Sequence, residues 1–160
     1  MSPVVTARRR AELVGRLASA PARAAQAAAA VETLTVPDGE WSVGEIVRHL
    51  IAVDDEVFGR RLRDLREQDH PRWSWVEPRF DDGPADRPLG VLIETFAARR
   101  RALVATVTGL PAAGWQRSGT HDTLGVLDVA GLLQVAIDHD DEHLATIERL
   151  VSGARGAAPA

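Results

Sequence analysis

The stretch TLGVLDVAGLLQVAIDHDDEHLATIERLV, residues 123–151, decides the fold class. Val129, Leu132, Ala136, His139, His143, Ile147 and Leu150 recur at spacings of three and four, the period of one helix face. The segment is therefore expected to be a helix with two histidines on its apolar stripe. Residues four apart have Cβ atoms about 5–6 Å apart, so both imidazoles can lean toward one ion through bonds of about 2.0–2.1 Å. Core packing is the other reading of the pair, but two desolvated rings still need partners for their nitrogens. Asp138, Asp141 and Glu142 fall on the solvated side. Asp140 lies within about 40° of the stripe centre, where it serves the histidines or reaches solvent from the helix margin.

A second segment, Ser42 to Arg66, has Val43, Ile46, Val47, Leu50, Val53, Val57 and Leu65 as its stripe. His49 sits at the stripe margin, a position that points into a seam between helices. Ser42 with Glu45 three residues on has the pattern of a capping box. If this helix packs beside the last one, His49, His139 and His143 converge as three neutral nitrogen ligands with coordination positions left open. Asp54 falls near the stripe centre about a turn from His49. It either orients a ligand imidazole or pairs with an arginine of a neighbouring helix.

Two more helices complete the pattern. The first runs from about Thr6 to Val31, with Leu13, Val14 and Leu17 on one face and Pro21 breaking or kinking it, so that Ser19 to Arg23 reads as a turn. The third, Arg87 to Thr108, has Leu89, Leu92, Ile93, Phe96, Leu103, Val104 and Val107 at helical spacing. Thr35 to Glu40 is a loop. The connection from Glu67 to Asp86, with Trp73, Trp75 and Phe80, is long enough to be a functional lid, and its tryptophans argue that it packs. Pro111 to Asp122 is a second connection containing Trp115 and His121. No strand is expected. The reading is all-α, a four-helix bundle, a fold class that builds metal sites from facing helices.

Composition sets the limits. A chain of 160 residues makes one domain, taken as 1–152 with 153–160 as a disordered tail. There is no cysteine, so any thiol chemistry uses an external thiol. A net charge of -4 argues against a nucleic-acid partner, and the short basic clusters, including Arg99 to Arg101, read as solvated faces. No run approaches the ~18–20 apolar residues of a membrane span, and no signal h-region is evident, so a cytoplasmic location is expected. Every basic residue is arginine and alanine is abundant, a composition typical of a high-GC bacterial genome.

The order WSVGEIVRHLIAVDDEVFGRRL (41–62), an aromatic loop, a third helix, GWQRSGTHDTLG (114–125) and DHDDEHLATI (138–147) resembles the DinB-like superfamily over residues 10 to 151. The resemblance implies a four-helix bundle whose divalent metal, often zinc or nickel, is held by His49 from the second helix and His139 and His143 from the fourth. Asp54 stands where relatives often carry Glu. The resemblance also implies possible use of a low-molecular-weight thiol such as mycothiol or bacillithiol, the former favoured by the high-GC composition.

Three neutral ligands leave the ion's charge uncompensated, which favours Lewis acidity and a water pKa lowered toward about 7. The expected function is metal-dependent thiol transfer to a small electrophile, with metal-dependent hydrolysis and non-enzymatic, stress-associated binding as alternatives. Asp54, Asp140 and His121 are the candidate catalytic residues. His121 enters the site as a proton carrier, caps the last helix or packs on Trp115. Arg60 and the arginines around it, with Trp73 and Trp75, are the candidate substrate walls and anion contacts. A homodimer through an uncovered stripe on the first or third helix is the expected assembly.

Overall fold

A computed structural model describes residues 4–29 and 36–156. Helix α1 (Ala7–Ala28) is capped by Thr6. Helix α2 (Val43–Val53) passes through a π turn (Asp54–Phe58) directly into α3 (Gly59–Glu67). Helices α4 (Leu89–Thr108) and α5 (Val129–Gly156) complete the set. With α2, the π turn and α3 counted as one arm, four helical arms form the bundle. α1 packs on α4 and α5, and α2 packs on the other sides of the same two helices. The α2/α5 seam is thus a direct helix–helix contact.

The predicted capping box is present. The Ser42 hydroxyl accepts from the Glu45 N–H at 3.1 Å, and the Ser42 N–H donates to the Glu45 carboxylate at 2.8 Å. This satisfies two donors that a helix start otherwise leaves open, and it fixes where the turn bearing His49 begins.

Pro21 does not break the first helix; α1 runs through it. Proline removes the hydrogen bond to the carbonyl four residues back, here that of Leu17. That carbonyl accepts instead from Arg100 Nη1 at 2.8 Å. The lost helix bond is replaced by a tertiary one.

The π turn is the second departure from the expected regular helix. The Gly59 N–H bonds the carbonyl of Asp54, five residues back, and a Cβ on residue 59 would stand 2.7 Å from that same oxygen. Glycine is what lets the wide turn close. Gly59→Ala should therefore cost about 1–3 kcal/mol in chemical unfolding from steric displacement, although alanine is the better helix former by about 1 kcal/mol. A more stable variant would show that the turn relaxes freely.

Three short strands correct the expectation that no strand forms, within what remains a four-helix bundle. β1 (Arg72–Trp73) pairs parallel with β2 (Ser118–His121), which pairs antiparallel with β3 (Gly125–Asp128). The last helix accordingly starts at Val129 rather than Thr123. Gly125, with φ of 76°, closes the hairpin in a conformation costly for other residues. Strands of two to four residues carry too little alternation to be read locally. Their role is to tie the two long connections together over one end of the bundle. At the other end of α5 the helix continues through Gly156, beyond the predicted limit at Ser152. Residues 157–160 of the predicted tail, and Ala30 to Thr35 of the first helix and loop, lie outside the described residues.

Two apolar clusters make the core. One contains Leu13, Leu17, Val57, Leu103 and Ile137; the other contains Ala20, Leu50, Phe96 and Leu144. Between them on their respective helices lie Asp54, Arg100 and Asp140, all buried. Of the exposed large apolar residues among those described, Val91 alone lies on the first or third helical arm, while Trp75, Val76 and Leu124 line a cavity in front of the α2/α5 seam. No helix of the described residues is long and apolar enough to cross a membrane.

Candidate metal centre

His49, His139 and His143 meet in the α2/α5 seam, with one ligand atom from each lying within 4.8 Å of the others. His139 Nε2 is 3.2 Å from His49 Nε2 and 3.2 Å from His143 Nε2. A tetrahedral ion with bonds of about 2.0–2.1 Å separates its ligand nitrogens by roughly 3.3–3.4 Å. The donor set and these two spacings fit a divalent ion, while His49 and His143 lie within 4.8 Å of each other.

The tautomer of His49 is set from outside the triad. Its Nδ1 faces the carbonyls of Pro78 and Arg79 at 2.8 and 3.0 Å. Carbonyls only accept, so Nδ1 carries the proton and Nε2 presents its lone pair to the other histidines. Such a carbonyl is a usual outer partner for a metal-binding imidazole. The loop that follows these carbonyls is held to the same helix by Arg48, which donates to the Asp81 carboxylate at 3.0 Å and to the Asp81 and Gly83 carbonyls. Trp41 closes the outer side, with its ring 5.0 Å from that of His49 and stacked on His143 at 6.4 Å.

Burial first, then the neighbouring His143, His49 and Arg100, hold the His139 pKa down at about 3. His143 is lowered by burial and by His49, against the opposing pull of Glu142 and Glu77. Both rings are neutral at physiological pH, the state a metal ligand needs.

Asp54 and Asp140 lie beside the triad but are engaged elsewhere. Arg100 Nε and Nη2 donate to the Asp54 carboxylate at 2.9 Å each, and Nη1 and Nη2 donate to that of Asp140 at 2.6 and 3.0 Å. The expectation that either orients a ligand imidazole or carries a proton is replaced by this ion cluster. For Asp54 it is the alternative drawn from the sequence. For Arg100, read as part of a solvated face, it is a correction. Burial pushes the Asp54 pKa up to about 6 despite Arg100, and raises Asp140 also. Burial disfavours the charged guanidinium, but Asp140 and Asp54 outweigh it and raise its pKa.

His121 ends β2, fully buried. Its Nδ1 accepts from the Thr123 and Leu124 N–H groups at 3.2 and 3.3 Å, and its ring meets Trp75 edge-on. It shapes the hairpin turn; it neither caps α5 nor packs on Trp115 as expected. Arg60 is exposed and outside the cavity. Its neighbour Arg61, one residue or about 100° further round the helix, lines it. Trp73, in β1, is buried with Nε1 on Asp64 at 3.0 Å, whereas Trp75 lines the cavity.

The cavity beside the triad has a volume of about 360 Å³. Trp41, Phe58, Glu77 and Glu142 line it, and none of the four was singled out from sequence as part of a pocket. Glu142 was assigned to the solvated face. It is indeed exposed, but the triad lies at the edge of the bundle, where solvated face and cavity rim coincide.

A four-helix bundle with three histidines grouped between its second and last arms defines the class. The chain belongs to the DinB superfamily, whose profile matches residues 6–147. Its fold is similar to that of YfiT from Bacillus subtilis, a probable metal-dependent hydrolase with an unusual four-helix bundle topology. The two share 19% sequence identity at a TM-score of 0.79, over 99% of this chain and 95% of that one. Among curated proteins there is no match.

Proposed function

We propose that the protein is a metal-dependent hydrolase of small amides or esters, with a divalent ion held by His49, His139 and His143 and with Glu142 as general base. The carrying observation is that Glu142 and Glu77 line the same cavity as the triad. Hydrolysis needs a group to take a proton from water, and Glu142, on the helix that supplies two of the histidines, is the more rigidly placed of the two. A divalent ion bound there supplies Lewis acidity toward a carbonyl oxygen and toward water. Three protein ligands beside an open cavity suit a catalytic rather than a structural site, which is normally closed by a fourth. The resemblance to YfiT, named as a probable metal-dependent hydrolase, supports the same reading. Three imidazoles accept zinc or nickel, with copper and iron also suited.

Transfer of an external thiol such as mycothiol or bacillithiol is the second reading, and the lack of cysteine in the chain is compatible with it. A thiol, with a pKa near 8.5, would release its proton to solvent on binding a metal and needs no carboxylate base, so the glutamates favour hydrolysis.

Glu142→Gln should retain its metal and lose about 10²-fold or more in turnover of small esters or amides by the zinc- or nickel-loaded protein. Metal-dependent consumption of mycothiol, bacillithiol or glutathione without hydrolysis would replace this reading with thiol transfer. Full turnover in Glu142→Gln would remove Glu142 from the chemistry.

A further inference from the structure

We infer that the cavity recognises a substrate carboxylate with Arg61, at the end away from the histidines and separated from them by an apolar segment. The inference rests on reading this cavity as the hydrolytic site.

Arg61 is only 6% exposed, and no carboxylate among the described residues pairs with it. Among the described residues its one hydrogen bond runs from Nη2 to the Ser74 carbonyl at 3.3 Å, although a guanidinium offers five N–H donors. The Trp73 ring lies 5.8 Å from its central carbon. Asp64 and Asp122 act on it only through their fields, and the Asp64 carboxylate is already taken by Trp73 Nε1 and the Gln68 side chain. A buried cation with open donors is costly unless an anion completes it. Arg100, the other arginine buried among the described residues, shows the contrast, because all of its donors are used.

The cavity has two ends. His49, Val53, Val57 and Arg61 follow one another every fourth residue along its floor. Twelve residues separate His49 from Arg61, about 18 Å of helix rise at the backbone. The segment from Ser74 to Pro78 runs beside them, its first carbonyl on Arg61 and its last on His49. Glu77 therefore stands near the histidine end, as does Glu142, next to His143. Between the ends, Phe58, Trp75, Val76 and Leu124 present apolar surface. The arrangement fits an elongated acid with a hydrolysable bond at the histidines, a chain or ring of several carbons, and a carboxylate at Arg61. A planar guanidinium is suited to such a partner because it can bind both oxygens.

The test is calorimetric binding of 6-acetamidohexanoate and of its uncharged analogue 6-acetamidohexanamide to the full chain, metal-loaded and chelated. The acid should bind roughly tenfold or more tightly than the amide, with and without metal, and Arg61→Met should abolish the preference while keeping its metal. If Arg61→Met folds poorly, the Arg61 Nε–H resonance of the unmodified protein decides, shifting with the acid and not with the amide. Equal affinities, or a preference that vanishes on chelation and survives Arg61→Met, would overturn the inference, the latter by placing the carboxylate on the metal. Metal-dependent turnover of neutral esters without any acid preference would overturn it alone and leave the hydrolase reading standing. Acid preference without turnover of any ester or amide would do the reverse.

Discussion

Arg100→Ala should lower the stability of the protein by about 3–5 kcal/mol, the cost of removing one partner from a buried ion cluster, out of a total of about 5–15 kcal/mol for an ordinary domain. Arg100 is 1% exposed and its five N–H groups are all used, four on Asp54 and Asp140 and one on the Leu17 carbonyl. Its removal leaves two carboxylates and one carbonyl facing each other in the core. The carbonyl has no helix partner to return to, because Pro21 occupies the position that would supply one. The loss should arise from uncompensated polarity rather than lost volume. Arg100→Met, Asp54→Leu and Asp140→Leu combined, with Pro21→Ala to restore the helix bond, should therefore recover most of it, since buried ion clusters can be replaced by apolar residues at little or no cost. Urea unfolding of the two variants decides the point. A single variant within about 1 kcal/mol of the parent would show the cluster to be energetically idle, and a combined variant as unstable as the single one would point to packing instead.

The second large effect is expected at His139. Its Nε2 is the middle atom of the triad, 3.2 Å from each of the others, so His139→Ala removes the ligand that both remaining histidines face. Protein purified without a histidine tag should hold about one divalent ion per chain by elemental analysis. The variant should lose affinity by more than the roughly 10–100-fold typical of losing an outer partner, and its metal-dependent hydrolysis should go with it. Metal-induced thermal stabilisation gives an independent readout. A ligand at 100 times its Kd stabilises by about 2.7 kcal/mol, and this increment should be absent from the variant. Full metal retention in His139→Ala would remove the ligand assignment, and with it the hydrolase proposal.

The helical arms were legible from local pattern. The stripes of α2, α4 and α5, the capping box at Ser42 and the places of the three histidines on their helices follow from periodicity and cap chemistry, which act over a few residues. The errors have local causes as well. Pro21 is read as a break because proline removes a helix bond, and nothing in the neighbouring sequence announces that Arg100, 79 residues on, supplies a replacement. The π turn is invisible because Asp54 to Phe58 has ordinary helical composition, and only Gly59 marks it. Gly125 to Asp128, inside the segment read as the last helix, is drawn into a strand by pairing with β2, with Thr123 and Leu124 in the hairpin turn.

By itself, then, the sequence determines which segments are helices and that His49, His139 and His143 can share one seam, because helical period and side-chain chemistry are properties of a few consecutive residues. The partners of the charged groups are decided only by tertiary structure. Arg100 rather than a histidine receives Asp54 and Asp140, Arg61 rather than Arg60 faces the cavity, and Glu142 stands on its rim, because a buried charge is satisfied by whatever group the packing brings within about 3 Å, and that group need not be near it in the chain.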